Sequence, residues 1–216
     1  MTALLPLLPL LANPAPPIDL SGVEGLVNAQ DTVPLLLTDM KYSTTDNFVG
    51  KDLYGEFETC YLQKEAADML GKAAASLHIT HPELRLLAWD CLRPRRVQLM
   101  MWDVVKGTPQ QSYVANPHSK TGSIHNYGCA IDLTLSNAKG EPLDMGTPFN
   151  HFGEAAHPRQ EVTHRQQGKL SAEQLANRLL LREAMVRAGF IPLNNEWWHF
   201  NCLGAKETRT RYPLVE

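Results

Sequence analysis

Apolar positions along the chain follow a helical period in three stretches. Residues 63–77 carry apolar side chains three and four positions apart, which predicts a helix with one buried face. A second helix is predicted from Pro94, whose fixed φ suits a first helical position, to about residue 105. A third follows a capping box at residues 171–174 and ends before Gly189.

Strand-like patterns lie between and after these helices. Residues 84–89 form an apolar run, and residues 130–135 alternate and lead into a turn, which predicts a hairpin returning through residues 142–145. Residues 146–170 have no clear period and are expected to form a long functional loop. A last strand is expected over residues 196–202. Isolated helices with strands grouped near the end favour an α+β fold, with a mainly antiparallel sheet flanked by helices.

The composition fits one globular domain over residues 1–216. Apolar residues make up 44% and charged residues 20% of the chain, so it can form a sizeable hydrophobic core without disulfides or a metal to stabilise the fold. We therefore expect the four scattered cysteines to be buried free thiols, with disulfides as the alternative. The net charge of −3, without a basic block, predicts no nucleic-acid surface. The sequence does not indicate an oligomeric state.

The first 34 residues are rich in proline and predict an extended N-terminal arm. Residues 3–12 are apolar, like the middle of a signal peptide, but no Lys or Arg precedes them and two prolines interrupt them. The stretch is too short to span a bilayer. We expect a cytoplasmic protein without a membrane span; the alternative is a periplasmic one, if residues 1–12 act as a leader.

Two short stretches contain the residue types of a hydrolytic zinc site. His125 and Asp132 lie seven positions apart, with Gly128 allowing a bend between them, and Glu196 and His199 follow about sixty residues on. Catalytic zinc usually takes three protein ligands and keeps one open position, so the three ligands predict one Zn²⁺ with Glu196 as a nearby base. In a flat strand Glu196 and His199 would face opposite sides, so a turn must separate them. The alternative is an exposed Glu196 and a histidine that belongs to the core.

A cation is also needed for the oxyanion that forms during hydrolysis. Arg93 is the candidate, because Pro94 holds it extended and its charge is permanent. The alternative is that Arg93 belongs with Arg95 and Arg96 to a solvated helix turn. Four other histidines are weaker ligand candidates: His118, His151, His157 and His164.

With these residues in hand, the chain resembles the VanX-type D-alanyl-D-alanine dipeptidases, which belong with the zinc D,D-carboxypeptidases and the hedgehog and lysostaphin group of folds. The resemblance extends over roughly residues 35–203. Its motifs are Arg-Pro at 93–94, Ser-x-His-x-x-Gly-x-Ala-x-Asp at 123–132, Glu-x-Trp-His at 196–199, Asp-Met-Lys-Tyr at 39–42, Thr-Asp-Asn-Phe at 45–48 and Asp-Met-Gly-Thr at 144–147.

The resemblance implies a zinc peptidase that cleaves the free dipeptide D-Ala-D-Ala into two D-alanines. It implies zinc held by His125, Asp132 and His199, with Glu196 as the base. It also implies that Arg93 stabilises the transition state. Substrate contacts are expected from three further residues: Ser123, Tyr42 and Asn150. Members of this type generally work in the cytoplasm.

One position departs from the family pattern. Where better-known members carry an Asp that receives the substrate ammonium, this chain has Asn150, which offers no charge. Glu154 is an alternative receiver. The departure keeps open a zinc D,D- or L,D-carboxypeptidase that acts on longer peptidoglycan peptides. A non-enzymatic zinc-binding module is a further alternative.

Overall fold

The computed structural model describes Ile18, Leu20 and residues 23–216. Within these residues the strands are β1 (Leu26–Asn28), β2 (Leu37–Thr38), β3 (Tyr61–Gln63), β4 (Leu84–Asp90), β5 (Ala130–Asn137), β6 (Ile191–Pro192) and β7 (His199–Asn201). The helices are α1 (Ala29–Thr32), α2 (Lys64–Thr80), α3 (Arg95–Val105), α4 (Glu161–Gln166), α5 (Ala172–Arg187) and α6 (Ala205–Arg211). The three predicted helices correspond to α2, α3 and α5.

The central sheet has five strands in the order β2-β4-β5-β7-β6. Only the short β2–β4 pair within it is parallel, and the other pairs are antiparallel. Strands β1 and β3 form a separate antiparallel pair. This arrangement confirms the predicted α+β fold with a mainly antiparallel sheet.

The strand register brings three polar residues into one row across the sheet. Asp132 on β5 lies opposite Asp90 on β4 and opposite His199 on β7. A bulge in β4 between Ala88 and Asp90 shifts the register just before this row. Directly opposed residues have Cβ atoms about 5 Å apart, so the row is close enough for side-chain contact.

The main helices bury their apolar faces in one core. α2 packs against α5 and against β4. Of the predicted apolar face it buries Ala66, Leu70, Ala73 and Leu77, while Met69 is only partly buried. α5 also buries Arg178, whose guanidinium donates to the carbonyls of Met145 at 2.6 Å and Ala155 at 3.0 Å. This side chain therefore ties α5 to the long loop that follows β5.

The cysteines form two disulfides, Cys60–Cys91 and Cys129–Cys202. The prediction of free thiols is therefore wrong. The second pair follows from the β5–β7 register, because the amide of Cys202 donates to the carbonyl of Cys129 and the two Cα atoms lie 5.2 Å apart. That separation is within the usual range for a disulfide.

Other predicted elements are shorter or more ordered than expected. Within the predicted arm 1–34, residues 26–32 form β1 and α1 and Ala29 is fully buried, so this part is not an extended arm. The predicted hairpin return is reduced to one bridge, Ser136 to Pro142. The predicted loop contains α4, and β7 begins at His199 instead of at residue 196.

The possible leader, residues 1–12, lies outside the described residues. Among residues 23–216 no helix is long and apolar enough to cross a membrane.

Candidate active site

The three predicted metal ligands come from three neighbouring segments. His125 sits in a 3₁₀ turn, Ile124–Tyr127, that Ser123 caps through its side chain and that ends at Gly128 with φ +67°. The left-handed φ favours glycine at position 128, and a Cβ there would also have to displace Leu26, whose Cδ2 would lie 2.7 Å away. Asp132 and His199 face each other on β5 and β7.

The ligand atoms of these residues form a small triangle. His125 Nε2 lies 3.1 Å from His199 Nδ1 and 3.3 Å from Asp132 Oδ1, and His199 Nδ1 lies 2.9 Å from Asp132 Oδ1. Zinc–nitrogen and zinc–oxygen bonds of about 2.0–2.1 Å give tetrahedral edges of about 3.3 Å. The triangle is thus close to one face of a zinc tetrahedron.

Each imidazole forms a hydrogen bond outside the triangle through one ring nitrogen, and this bond points the lone pair of the other ring nitrogen into the triangle. His125 Nδ1 lies 2.7 Å from the carbonyl oxygen of Cys91, which only accepts, so Nδ1 carries the proton and donates. His199 Nε2 lies 2.9 Å from Asn201 Oδ1 and donates to it. When both imidazoles are neutral, both inner nitrogens are unprotonated beside a carboxylate, so three acceptors face one another; without a cation, a proton on His199 Nδ1 can bridge to Asp132 Oδ1 instead. A cation satisfies this arrangement, and such outer partners are typical of metal-bound histidines.

The electrostatics of the triangle are consistent with a cation site. Burial would raise the pKa of the Asp132 carboxyl, but the adjacent His125 and His199 hold it well below its usual range. Burial would lower the pKa of His199, but the hydrogen bond to Asp132 and the negative charges of Asp132 and Glu196 together raise it, so a positive charge is stabilised at this position. All three side chains are nearly inaccessible, so each interaction is felt in a low dielectric.

Glu196 lies beside the triangle on a turn. Trp197 and Trp198 form the turn between Glu196 and His199, which brings both polar side chains to the same side, as the sequence required. Glu196 Oε2 is 3.9 Å from His199 Nδ1. Burial raises the pKa of the Glu196 carboxyl to about 7, with Asp132 adding to the rise and His199 and Arg93 opposing it. A carboxyl with such a pKa is poised to exchange protons near neutral pH.

Arg93 is held rigidly at the edge of the triangle. Its Nε donates to Asp90 Oδ2 at 2.8 Å, its Nη2 forms a shorter bond to the same oxygen, and its Nη1 donates to Gln98 Oε1 at 2.8 Å. Nη2 also lies 3.5 Å from Asp132 Oδ2. Burial alone would lower the pKa of Arg93, but Asp90, Tyr42, Tyr54 and Asp132 together more than offset this and the pKa is raised. Arg93 is therefore a buried permanent cation and not part of a solvated turn.

Asp90 is a site residue that the sequence analysis missed. Besides Arg93 it accepts a 2.5 Å hydrogen bond from the hydroxyl of Tyr54, and it is fully buried. The sequence feature that could have identified Asp90 is an acidic residue directly after an apolar strand pattern. A buried carboxylate of this kind needs a partner, and Arg93 follows three positions later.

A cavity of about 310 Å³ opens onto the triangle, and the three predicted substrate contacts line it. The oxygen of Ser123 accepts from the His125 amide at 3.3 Å, which leaves its hydroxyl proton available to a ligand. The hydroxyl of Tyr42 donates to Asn150 Oδ1 at 3.0 Å, and the Arg93 guanidinium lies 5.2 Å from the Tyr42 ring centroid. The cavity also has aromatic walls from residues that were not predicted as substrate contacts: Phe48, Tyr113, Phe152 and Trp198.

The remaining candidates lie apart from the triangle. His157 bonds to the Tyr113 hydroxyl at 2.9 Å, and His164 bonds to the Glu154 carbonyl at 3.1 Å. His118 and His151 are likewise outside the only cluster of metal-ligating side chains in residues 23–216. Glu154 is not among the residues that line the cavity.

Comparison with known proteins identifies the family. The sequence model of a family described as D-ala-D-ala dipeptidase matches residues 23–215. The chain belongs to this D-Ala-D-Ala dipeptidase family. It is a metallopeptidase, and the family resemblance drawn from the motifs is confirmed. The family implies a metal, and the His125–Asp132–His199 triangle fits one.

Several curated relatives support the family assignment. D-alanyl-D-alanine dipeptidase of Escherichia coli (strain K12) is 33% identical over 196 residues, which cover 91% of this chain and 92% of that protein. The D-alanyl-D-alanine dipeptidase of Enterococcus faecium is 34% identical over 177 residues, covering 75% and 83%. That of Enterococcus faecalis (strain ATCC 700802 / V583) is 30% identical over 179 residues, covering 76% and 85%.

Proposed function

We propose that this metallopeptidase hydrolyses D-Ala-D-Ala to two D-alanines with one zinc ion held by His125, Asp132 and His199. The observation that carries the proposal is the triangle of three acceptor atoms, 2.9–3.3 Å apart, with Glu196 3.9 Å away. Two imidazoles and one carboxylate suit zinc and leave a fourth position open. The relatives, which are D-alanyl-D-alanine dipeptidases, support the dipeptide as substrate.

Bound there, zinc supplies a Lewis acid that polarises the scissile carbonyl and lowers the pKa of a coordinated water. Glu196 takes the proton of the attacking water and passes it to the leaving amine. Its raised pKa suits both halves of this role, because the protonated form is accessible near pH 7.

Arg93 stabilises the oxyanion that develops on the scissile carbonyl. The guanidinium is charged throughout the accessible pH range and is positioned before the reaction by Asp90 and Gln98. A donor that is fixed in advance costs no reorganisation during the reaction, and such groups are worth about 10²–10³ in kcat. Ser123, which also lines the cavity, contributes a hydroxyl donor.

The proposal is tested by D-alanine release from D-Ala-D-Ala after metal removal and zinc reconstitution. We expect no release after chelation, recovery with one zinc per chain, and a loss of at least 10²-fold in kcat for Glu196→Gln with zinc stoichiometry unchanged. Glu173→Gln, the same change on the exposed first turn of α5, is the matched control and should retain wild-type activity.

Two outcomes would contradict the proposal. Full activity of the zinc-loaded Glu196→Gln protein would exclude Glu196 as the base. Wild-type activity in protein whose His199→Ala substitution removes one ligand would exclude the triangle as the catalytic metal site.

We further propose that the protein works in an oxidising compartment. The cytoplasmic location expected from the weak leader stays a prediction, but two disulfides are typical of periplasmic and secreted proteins. The observation favours the periplasmic alternative. Cell fractionation with thiol labelling of the released protein tests it: four unreactive cysteines in the periplasmic fraction are expected, and reduced protein in the cytosol would overturn it. The single domain over residues 1–216 also stays a prediction.

A further inference from the structure

Two arginines line the cavity that opens onto the metal triangle, Arg93 and Arg209. Arg93 is buried, and its guanidinium donates to Asp90 and Gln98. Arg209 lies on α6 and is exposed. Within the part of the chain that the structure describes, its guanidinium forms no hydrogen bond or ion pair. The proposed mechanism uses Arg93 and leaves the charge of Arg209 without a role.

The packing of α6 directs Arg209 towards the cavity. The helix contacts the 3₁₀ turn that carries His125. Thr208 is fully buried, and its hydroxyl donates to Cys129 Sγ at 3.5 Å, beside the disulfide at the start of β5. Ala205 and Arg209 are four positions apart and therefore share one face of the helix, and both line the cavity. The anchored helix thus holds Arg209 at the rim of the cavity.

Arg211, two positions farther along the same helix, has a different environment. Its Nη1 lies 2.9 Å from Glu65 Oε2, and its Nη2 lies 2.6 Å from Glu207 Oε1. Arg211 is not among the described residues that line the cavity. Carboxylates of the protein therefore balance the charge of Arg211, whereas the charge of Arg209 faces the cavity and is available to a ligand.

The charge balance of the cavity favours an anionic ligand group. Among the described lining residues, the carboxylates of Asp132 and Glu196 match the guanidinium groups of Arg93 and Arg209 in number. A divalent cation in the triangle would therefore leave the lining with a positive balance. An anion that entered the cavity would find Arg209 free to bind it, because Arg93 is already bonded to Asp90.

The proposed substrate carries one group that matches Arg209. When the scissile carbonyl of a dipeptide lies at the metal, its C-terminal carboxylate lies one residue farther along the chain, a distance of about 3.5 Å. A guanidinium binds a carboxylate through two parallel hydrogen bonds and keeps its charge at every accessible pH. The carboxylate is already present in the substrate and does not change during hydrolysis. A contact with it therefore strengthens binding of the substrate and of the transition state alike.

We propose that Arg209 binds the C-terminal carboxylate of the substrate and thereby selects peptides that end directly after the scissile bond's second residue. The inference rests on the proposed D-Ala-D-Ala hydrolysis and assigns a specificity-determining residue to it. The exposed position of Arg209 places this contact at the cavity rim, where a peptide that continued or was amidated at its C-terminus would offer the guanidinium no anion.

The test compares D-Ala-D-Ala with its C-terminal amide as substrates of the zinc-loaded protein. We expect the wild type to prefer the free acid. Arg209→Gln should raise KM for the free acid about tenfold, the lower end for a charge-assisted hydrogen bond because the arginine is exposed. The kcat for the free acid and both constants for the amide should stay close to the wild-type values. Arg209→Lys keeps the charge and should restore part of the preference.

A binding measurement and a matched control accompany the kinetics. Calorimetric titration of D-Ala-D-Ala into zinc-loaded Glu196→Gln protein should show about tenfold weaker binding when Arg209→Gln is added. The control is Arg165→Gln, which removes an exposed arginine on α4 that also has no ion pair with the described residues and does not line the cavity. Its KM values for both substrates should match those of the wild type.

The outcomes separate this inference from the function on which it rests. If neither the free acid nor the amide is cleaved, the proposed function fails and the inference fails with it. If D-Ala-D-Ala is cleaved but Arg209→Gln changes its KM no more than Arg165→Gln does, only the role of Arg209 is refuted. An equal rise in KM for the free acid and the amide would also refute it, because the amide has no carboxylate to lose.

Discussion

Replacing Glu196 with Gln removes one ionisable group from the cavity while nearly preserving its shape. In the folded, metal-free protein the pKa of Glu196 is raised to about 7, compared with its usual value of 4.5. Since the folded state holds this proton more tightly than the unfolded state, the wild-type carboxyl should destabilise the fold at neutral and alkaline pH. The variant lacks this penalty, so it should be the more stable protein there although it has lost its base.

The magnitude and the pH window follow from the two pKa values. Below pH 4.5 the Glu196 carboxyl is protonated in both the folded and the unfolded state, so its raised pKa does not reduce the free energy of unfolding. Between pH 4.5 and 7 the wild-type free energy of unfolding should fall relative to the variant by up to about 1.4 kcal/mol per pH unit. Above pH 7 the difference levels off at about 3 kcal/mol. This is an upper value, because the Glu196 side chain keeps 14% of its exposure.

The assay is urea unfolding of chelated wild-type and Glu196→Gln protein at half-unit steps from pH 4.5 to 8.5. Chelation is essential, because a bound cation would favour the Glu196 carboxylate and reduce the difference. Groups common to both proteins, such as Asp132 and His199, largely cancel in the subtraction. Parallel stability curves across the whole range would refute the reasoning and show that the carboxyl is solvated in the folded state.

Two further substitutions test the framework around the site. Asp90→Asn removes the buried counter-charge of Arg93, so it should lower the free energy of unfolding by about 3 kcal/mol. It should also reduce kcat more than KM, with zinc stoichiometry unchanged. An unaltered kcat would show that Asp90 does not position Arg93. Replacing Cys129 and Cys202 together with Ser opens a disulfide that joins residues 73 positions apart and should lower the free energy of unfolding by about 4 kcal/mol in urea titrations; a loss below 1 kcal/mol would contradict this.

The parts of the site that were predictable from the sequence are those set by short spacings. His125 and Asp132 converge because Gly128 allows a bend within seven residues. Glu196 and His199 share one side because a turn separates them by three residues. In both cases the geometry depends on local backbone conformation, which neighbouring residue types largely determine. The roles of these residues remain predictions until they are measured.

The parts that escaped prediction depend on strand register over long sequence separations. Asp90 faces Asp132 only because a bulge in β4 shifts the pairing by one position, and a shift of one residue exchanges the two faces of a strand. The Cys129–Cys202 bridge depends on the pairing of β5 with β7 across 73 residues. Neither register is encoded in a local pattern. The sequence predicts an extended arm over residues 26–32 for the same reason: β1 forms only by pairing with β3, which is distant in sequence.

The two disulfides have a common relation to the site. Cys91 directly follows Asp90 and supplies the carbonyl that orients His125, while Cys129 and Cys202 each lie three residues from a ligand on β5 or β7. The Cys60–Cys91 bridge therefore fixes the end of β4 next to Asp90, and the Cys129–Cys202 bridge fixes the ends of β5 and β7 near the two ligands on these strands. When both imidazoles are unprotonated, as metal binding requires, the three acceptors held within 3.3 Å repel one another until the cation binds, and this repulsion tends to separate β5 from β7. A covalent link between these strands opposes that separation and keeps the site assembled for its metal.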